Sequence, residues 1–459
     1  MVTYMANSSH FKDIFTSLVA TFVFDLLKLD NWKCLRATAK WLCYILHPYM
    51  VKKYYPYCLL GDAYLEKYNC CRRVFGPHIA IRLCHVPSKD NLYRLAETKA
   101  DIMLKTQTCS LNELEQFINA LDRYIIELDF SNSLLLDQKM TTCLSGLNHL
   151  RILNISDCHV LNIANILSGN IPVLEKLYAA GNKIGVAHIA CNLKELDLSR
   201  NEKRLILTGQ LDTLTTLKIG CNINISGLAP LRPLLEALTS AKSLEDLKIS
   251  SMIVETFEAL KVFKCVRTLK KLAITDNFYE SLCNITVMTG MLQSLTHITW
   301  LDFSHTSLGF KFIEALDAYR QPMVTLTTLN LSSQSRYIDH NICALARALK
   351  LLPALGVLYM QSALGNPDSV MVVLKSAPKT LRKLNLAYNR FYGSRDTAYS
   401  ALGRCMRELL QFKKLTSVTI SNPCYTKYSL IYDTNALPTI ILSHELEYRY
   451  SGGQYISVW

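Results

Sequence analysis

The chain has 459 residues, 50% of them hydrophobic and 19% charged, a balance too apolar and too weakly charged for disorder. That length exceeds what one compact core can organise, so the chain must divide into domains or extend as an array. The net charge of +13 contains no run of five like charges, and residues 1–124 hold 16 Lys/Arg against 11 Asp/Glu. A diffuse excess suits acidic partners, whereas nucleic-acid recognition calls for a basic stripe.

At the N-terminus Phe15, Leu18, Phe22 and Leu26 recur at helical spacing, with Val19 and Val23 widening the apolar face. Asp30-Asn31 offers a cap to a second helix, Leu35, Trp41, Leu42 and Ile45 continue the pattern, and His47-Pro48 ends it. The apolar run from Ile14 to Phe24 is too short to span a bilayer and lacks the cleavage site of a signal peptide. Residues 18–41 resemble an F-box, with an apolar first helix, Asp30 opening the second, and Ala37-Thr38-Ala39-Lys40-Trp41 at its end. The resemblance implies that a module over 11–55 docks the adaptor subunit of a cullin–RING ubiquitin ligase through Leu18, Phe22, Leu26 and Trp41. The alternative is a pair of helices that only caps the array that follows.

Residues 56–124 form a connecting segment. Ile79, Ile81 and Leu83 alternate as a strand does, as do Ile102 and Leu104, and Leu111 to Leu121 has helical spacing. Such a strand–helix alternation fits eroded first repeats.

From Ile125 one pattern recurs, L-x-x-L-x-L-x-x-N/C with frequent replacement at its last position. It reads Leu150, Leu153, Ile155, Cys158, then Leu174, Leu177, Ala179, Asn182, then Leu193, Leu196, Leu198, Asn201. Further copies start at Leu214, Leu244, Leu269, Ile298, Leu326, Leu355, Leu381 and Leu415, making twelve with Ile125. Alternate residues of an L-x-L strand point inward, and stacking such strands in parallel buries what no single repeat buries alone. The asparagine then satisfies backbone groups left unpaired where the chain turns. Spacings run from 19 residues (Leu174 to Leu193) to 34 (Leu381 to Leu415). Longer repeats leave room for a helix, as at 342–349 and 401–410, whereas the repeats from Leu174 and Leu193 need extended or 3₁₀ backs.

Residues 125–423 resemble the leucine-rich-repeat family in its intracellular forms. The resemblance implies an α/β fold, a curved solenoid with a concave parallel sheet and a helical or irregular convex side. Residues 424–459 read as a C-terminal cap, with Tyr448 and Tyr450 facing Tyr455 and Ser457 across a turn at 451–454.

The sixteen cysteines are scattered through apolar stretches without a C-x-x-C, which fits buried free thiols and a cytoplasmic or nuclear location. There is no phosphate-binding loop, nucleophile elbow, zinc-protease motif or Cys/His zinc spacing. The expectation is therefore a protein-binding chain rather than an enzyme, with no cofactor, metal, small-molecule substrate, membrane or nucleic acid. Its outward strand positions include Trp300, Asp302 and Tyr359, with His305 and Tyr388 nearby, an aromatic and partly charged patch of the kind that anchors partners. With the F-box resemblance, this reads as the substrate-recognition subunit of an SCF-type ubiquitin ligase. The alternative is a stand-alone leucine-rich-repeat scaffold or regulator.

Overall fold

The structure, a computed structural model, describes residues 57–60, 80–133, 143–144, 147–201, 206–209, 211–221, 238, 240–250, 268–275, 285–334, 338, 341–387, 389, 404–405, 407–409, 411–422 and 426–431. The F-box-like module at 11–55 and the hairpin expected at 448–457 lie outside these residues, as does half of 401–410. Two compact units divide after Asp129, with Leu147–Leu150 grouped with the first.

In the first unit β1 (Tyr57–Leu60), β2 (Ala80–Leu83), β3 (Ile102–Lys105) and β4 (Ile125–Asp129) are parallel neighbours in that order. Helix α1 (Lys89–Thr98) connects β2 to β3, and α2 (Leu111–Leu121) connects β3 to β4. A capping box starts α2. The Ser110 hydroxyl accepts the Glu113 amide, and the Glu113 carboxylate accepts the Ser110 amide at 2.8 Å. Leu92, Leu95, Leu114, Phe117 and Leu121 pack these helices into a core with Ile81, Leu83, Ile102 and Leu104.

The second unit is a ladder of short parallel strands in sequence order, with two others, Val186–Ile189 and Ile206–Gly209, set apart from it. Its first part holds β5 (Ile152–Asn154), β6 (Lys176–Tyr178), β7 (Val186–Ile189), β8 (Glu195–Asn201), β9 (Ile206–Gly209) and β10 (Thr216–Cys221). It continues with β11 (Asp246–Ser250), β12 (Lys271–Thr275), β13 (Trp300–Asp302), β14 (Thr328–Asn330), β15 (Val357–Tyr359), β16 (Lys383–Leu386) and β17 (Ser417–Asn422). The second leucine of each repeat stands opposite its counterpart: Leu153↔Leu177↔Leu196↔Leu217↔Leu247↔Leu272↔Leu301↔Leu329↔Leu358↔Leu384↔Val418. All are buried, as are the rows before and after them from β5 to β16, so three inward rows make the core. The leucine-rich-repeat fold is therefore that of the α/β class, with every L-x-L copy forming a strand. The edge of β17 is occupied by an antiparallel strand, β18 (Thr426–Ile431).

Repeat length decides what lies behind the sheet. Four later repeats carry helices there: α3 (Ile285–Ser294), α4 (Leu308–Tyr319), α5 (Ile342–Lys350) and α6 (Pro367–Ser376). The two shortest repeats have no residues to spare for a helix. Their backs are extended as β7 and β9, which pair with each other as a separate two-stranded parallel sheet. Among the described residues no helix is long and apolar enough to cross a membrane.

Polar side chains bind repeat to repeat. Asn182 donates to Ile155 O and Ala179 O while its Oδ1 accepts the amides of Cys158 and Val160. Asn389 repeats the arrangement, donating to Met360 O and Leu386 O and accepting from Ala363 and Leu364. Two rows of threonine hydroxyls do the same where strands begin. Thr268, Thr325 and Thr380 donate to Leu244 O, Ile298 O and Leu355 O, and Thr299, Thr327 and Thr416 to Lys270 O, Thr299 O and Arg382 O. In the second row the hydroxyl joins two ladder amides that bond the same carbonyl.

Candidate functional site

Residues at the first and third positions of each strand point away from the core, to the outer face of the sheet. The second unit uses this face in two different ways.

From β5 to β12 most of its charges are paired with one another. Glu175 receives Arg151 at 2.6 Å and Lys194 at 3.2 Å. Glu195 receives Lys176 at 2.6 Å and the Tyr178 hydroxyl at 2.7 Å. Asp197 pairs with Lys218 at 3.4 Å, Glu245 with Lys270 at 2.7 Å, and Asp246 with Lys271 at 3.7 Å. The Arg151 guanidinium holds the Glu175 carboxyl below the usual range. Burial pushes Glu195 up, but the bonds from Lys176 and Tyr178 outweigh it and leave the group lowered.

From β13 to β15 the face changes chemistry. Trp300, Thr328 and Val357 stand opposite one another in register, and Asp302, Asn330 and Tyr359 form the next row. All six are half-buried. Among the described residues no ion pair joins these rows. Lys383 follows Val357 in the first row, Asn385 follows Tyr359 in the second, and Lys383 is exposed.

Several polar residues of the face serve the backbone. Asp302 Oδ1 accepts the Ser304 amide at 2.8 Å, and Asn154, Asp197, Asn330 and Asn385 accept the amide two residues on in the same way. The residue after that amide has positive φ at Asp157, Arg200, His305 and Ser333, φ 55–61°. His305 is thus an exposed turn residue whose amide donates to Ser332 O at 3.1 Å. Of the five residues singled out from sequence, Trp300 and Tyr359 share the aromatic face. Asp302 borders it with its carboxylate engaged, His305 sits in the turn, and Tyr388 lies outside the described residues. Ala273, also at an outward position, is only 1% exposed, a methyl between the longer Lys248 and Asp302.

Pattern reading passed over the cations beyond this face. Residues 375–414 contain ten Lys/Arg against two Asp/Glu, an excess of eight in a chain whose total is +13. The excess expected to be diffuse is concentrated here. No two of these cations form a long run, because they recur at repeat positions, and the signal is a count per repeat rather than a block. Lys375, Lys379, Arg382, Lys383, Arg404, Arg407, Lys413 and Lys414 are all exposed.

Cys84, Cys109, Cys143, Cys158, Cys191, Cys343 and Cys405 form no disulfide. Burial, with the neighbouring Glu113 charge adding to it, pushes Cys109 up to about 11, and burial does the same to Cys405. Both stay protonated and unreactive at neutral pH. Among the described residues no group of three or more His, Cys, Asp or Glu is placed to hold a metal ion.

No protein-family model matches the sequence. No curated protein matches it either. Among solved structures the chain is similar to an internalin (inlF) from Listeria monocytogenes, at 13% identity and a TM-score of 0.40, over 75% of this chain and 86% of that one. It is also similar to the leucine-rich repeat domain of APL1B, at 13% identity and a TM-score of 0.33, over 80% of this chain and 84% of that one.

Proposed function

We propose that this chain is a non-catalytic protein-binding repeat array whose partner docks on the outer strand face around Trp300, Val357 and Tyr359. The observation that carries this is the change of chemistry along the face, from strands whose charges are mostly paired to strands that present a half-buried indole, an aliphatic side chain and a phenol in two adjacent rows. Aromatic side chains supply much apolar area at little entropic cost, which is why they anchor interfaces. The test is capture of partners from a eukaryotic lysate with wild-type protein, Trp300→Ala and Thr216→Ala. Trp300→Ala should stay folded and lose at least about tenfold in affinity for the captured protein, roughly 1.4 kcal/mol. Thr216→Ala should bind as wild type. Unchanged binding by Trp300→Ala would overturn the reading.

The finer reading is a substrate-recognition subunit of an SCF-type ubiquitin ligase. It rests on the resemblance of residues 18–41 to an F-box, with Leu18, Phe22, Leu26 and Trp41 contacting the adaptor. Recovery of a cullin with full-length protein, and its loss on deleting residues 1–55, is the expected result. Equal recovery by both, or none by either, leaves a stand-alone scaffold or regulator in a cytoplasmic or nuclear setting.

A further inference from the structure

We infer that the partner of this face is an acidic polypeptide segment, with apolar side chains on the Trp300–Val357 row and carboxylates over Arg382, Lys383, Lys413 and Lys414. This rests on the proposed protein-binding reading and adds the chemistry of the ligand. The row Trp300–Thr328–Val357 runs in register directly into Lys383, so apolar surface and cation lie on one continuous line of the sheet. Arg382 immediately precedes the same strand, and its carbonyl receives both the amide and the hydroxyl of Thr416. Lys413 and Lys414, three and two residues before Thr416, therefore belong to the neighbouring strand start. At the usual strand spacing the line from Trp300 to Lys383 spans roughly 15 Å, which an extended segment of about five residues covers.

These cations differ from the others on the face. At the positions of Arg382 and Lys383, each charged group of the repeats from β5 to β12 has its counter-charge, as in Arg151–Glu175–Lys194, Lys176–Glu195, Glu245–Lys270 and Asp246–Lys271. Among the described residues no carboxylate pairs with Arg382, Lys383, Lys413 or Lys414, and all four are exposed. Unpaired exposed cations clustered beside an apolar row raise the local concentration of anions and orient them as they arrive. Two features favour a polypeptide over a nucleic acid. Val357 offers an aliphatic surface in the centre of the row, which a polypeptide side chain covers and a nucleotide does not. Phe412 is buried beneath the Lys379 ammonium at 4.1 Å, so this ring provides no platform for a base.

The test uses full-length protein and a labelled synthetic peptide of leucines followed by glutamates, with a leucine–lysine peptide, a single-stranded thymidine oligonucleotide and phosphatidylserine vesicles as the other arms. The leucine–glutamate peptide should bind best, and its affinity should fall as salt is raised. Arg382→Glu combined with Lys383→Glu should keep the wild-type melting temperature and lose at least about tenfold in peptide affinity, whereas Lys89→Glu in the first unit should change nothing. Equal binding of the two peptides, unchanged binding by the charge variant, or tighter binding of the oligonucleotide or vesicles overturns the inference. If the charge variant keeps the lysate partner while Trp300→Ala loses it, the binding face stands and only the acidic ligand fails. If Trp300→Ala keeps that partner too, the face itself is wrong.

Discussion

Asp157 and Arg200 meet at 2.9 Å across the repeat between them, directly over Gly181. All three occupy the same turn position of successive repeats, and all three have positive φ, 57° at Asp157, 68° at Gly181 and 57° at Arg200. A Cβ on Gly181 would fall inside van der Waals contact of Asp157 Oδ1. The glycine supplies a left-handed backbone at no steric cost and leaves the gap that the ion pair bridges.

Gly181→Ala is therefore expected to destabilise the protein by about 1–2 kcal/mol, from left-handed strain plus displacement of the Asp157 carboxylate. Asp157→Ala alone should cost well under about 1 kcal/mol, because the pair is solvent-exposed. Combining the two should recover part of the glycine loss, since the clash partner is gone. Urea unfolding of the four proteins checks this, and strict additivity would show that the clash is relieved some other way.

Asn389 and Gln334 occupy equivalent positions with unequal results. Asn389 is 0% exposed and makes four bonds, so Asn389→Ala should strand several buried backbone groups and cost about 2–4 kcal/mol. Gln334 donates to Phe303 O, but its Oε1 has no partner among the described residues, and the Leu308 amide donates to Thr306 Oγ1. Gln334→Ala should therefore cost clearly less than Asn389→Ala. Equal losses in urea midpoints would show that the glutamine is as well satisfied as the asparagine.

The three inward rows were legible because burial demands leucine, isoleucine or valine at fixed spacing, and a dozen copies in phase leave one fold. The extended backs at Val186–Ile189 and Ile206–Gly209 were legible from repeat length alone. The left-handed turn position was not, because its occupants differ chemically: Asn132, Asp157, Gly181, Arg200, His305, Ser333 and Ser362. The backbone imposes that conformation through the ladder bonds on either side rather than through residue type. The threonine rows escaped notice for a related reason, since their hydroxyls bond to carbonyls of a neighbouring repeat some 24–34 residues away. Asp302 shows the limit of reading a face from alternation. Its position on the face is as expected, but its carboxylate serves the turn of its own chain.

The ion-pair ladder predicts a pH dependence with a definite sign. Glu175 and Glu195 are lowered in the folded protein, so they bind protons more weakly there than in the unfolded chain. Their stabilisation is present above the ordinary glutamate value of about 4.3 and is lost as pH falls through the folded values. Urea midpoints should decline in that acid range, and the decline should be shallower in Glu175→Gln. Because Arg151 and Lys194 are largely exposed, the loss at neutral pH should stay within about 1 kcal/mol. A Glu175→Gln variant with an unchanged acid slope would remove Glu175 from the account.

Leu386 tests whether the second unit is energetically one-dimensional. It is fully buried in the inward row beside Met360, and its strand position pairs with that of Ile420 across the β16–β17 ladder. Leu386→Ala should cost about 2–5 kcal/mol, the transfer of the lost atoms plus the cavity they leave. Each strand of the ladder is hydrogen-bonded only to its two neighbours, so the loss should not be shared along it. Amide exchange should accelerate most between about 355 and 422, including the Ala363 and Leu364 amides that Asn389 holds. Amides between 150 and 201, which report on β5, β6 and β8, should keep nearly their wild-type protection. Uniform acceleration from one end to the other would mean that the repeats unfold as a single cooperative block, and the nearest-neighbour account would fail.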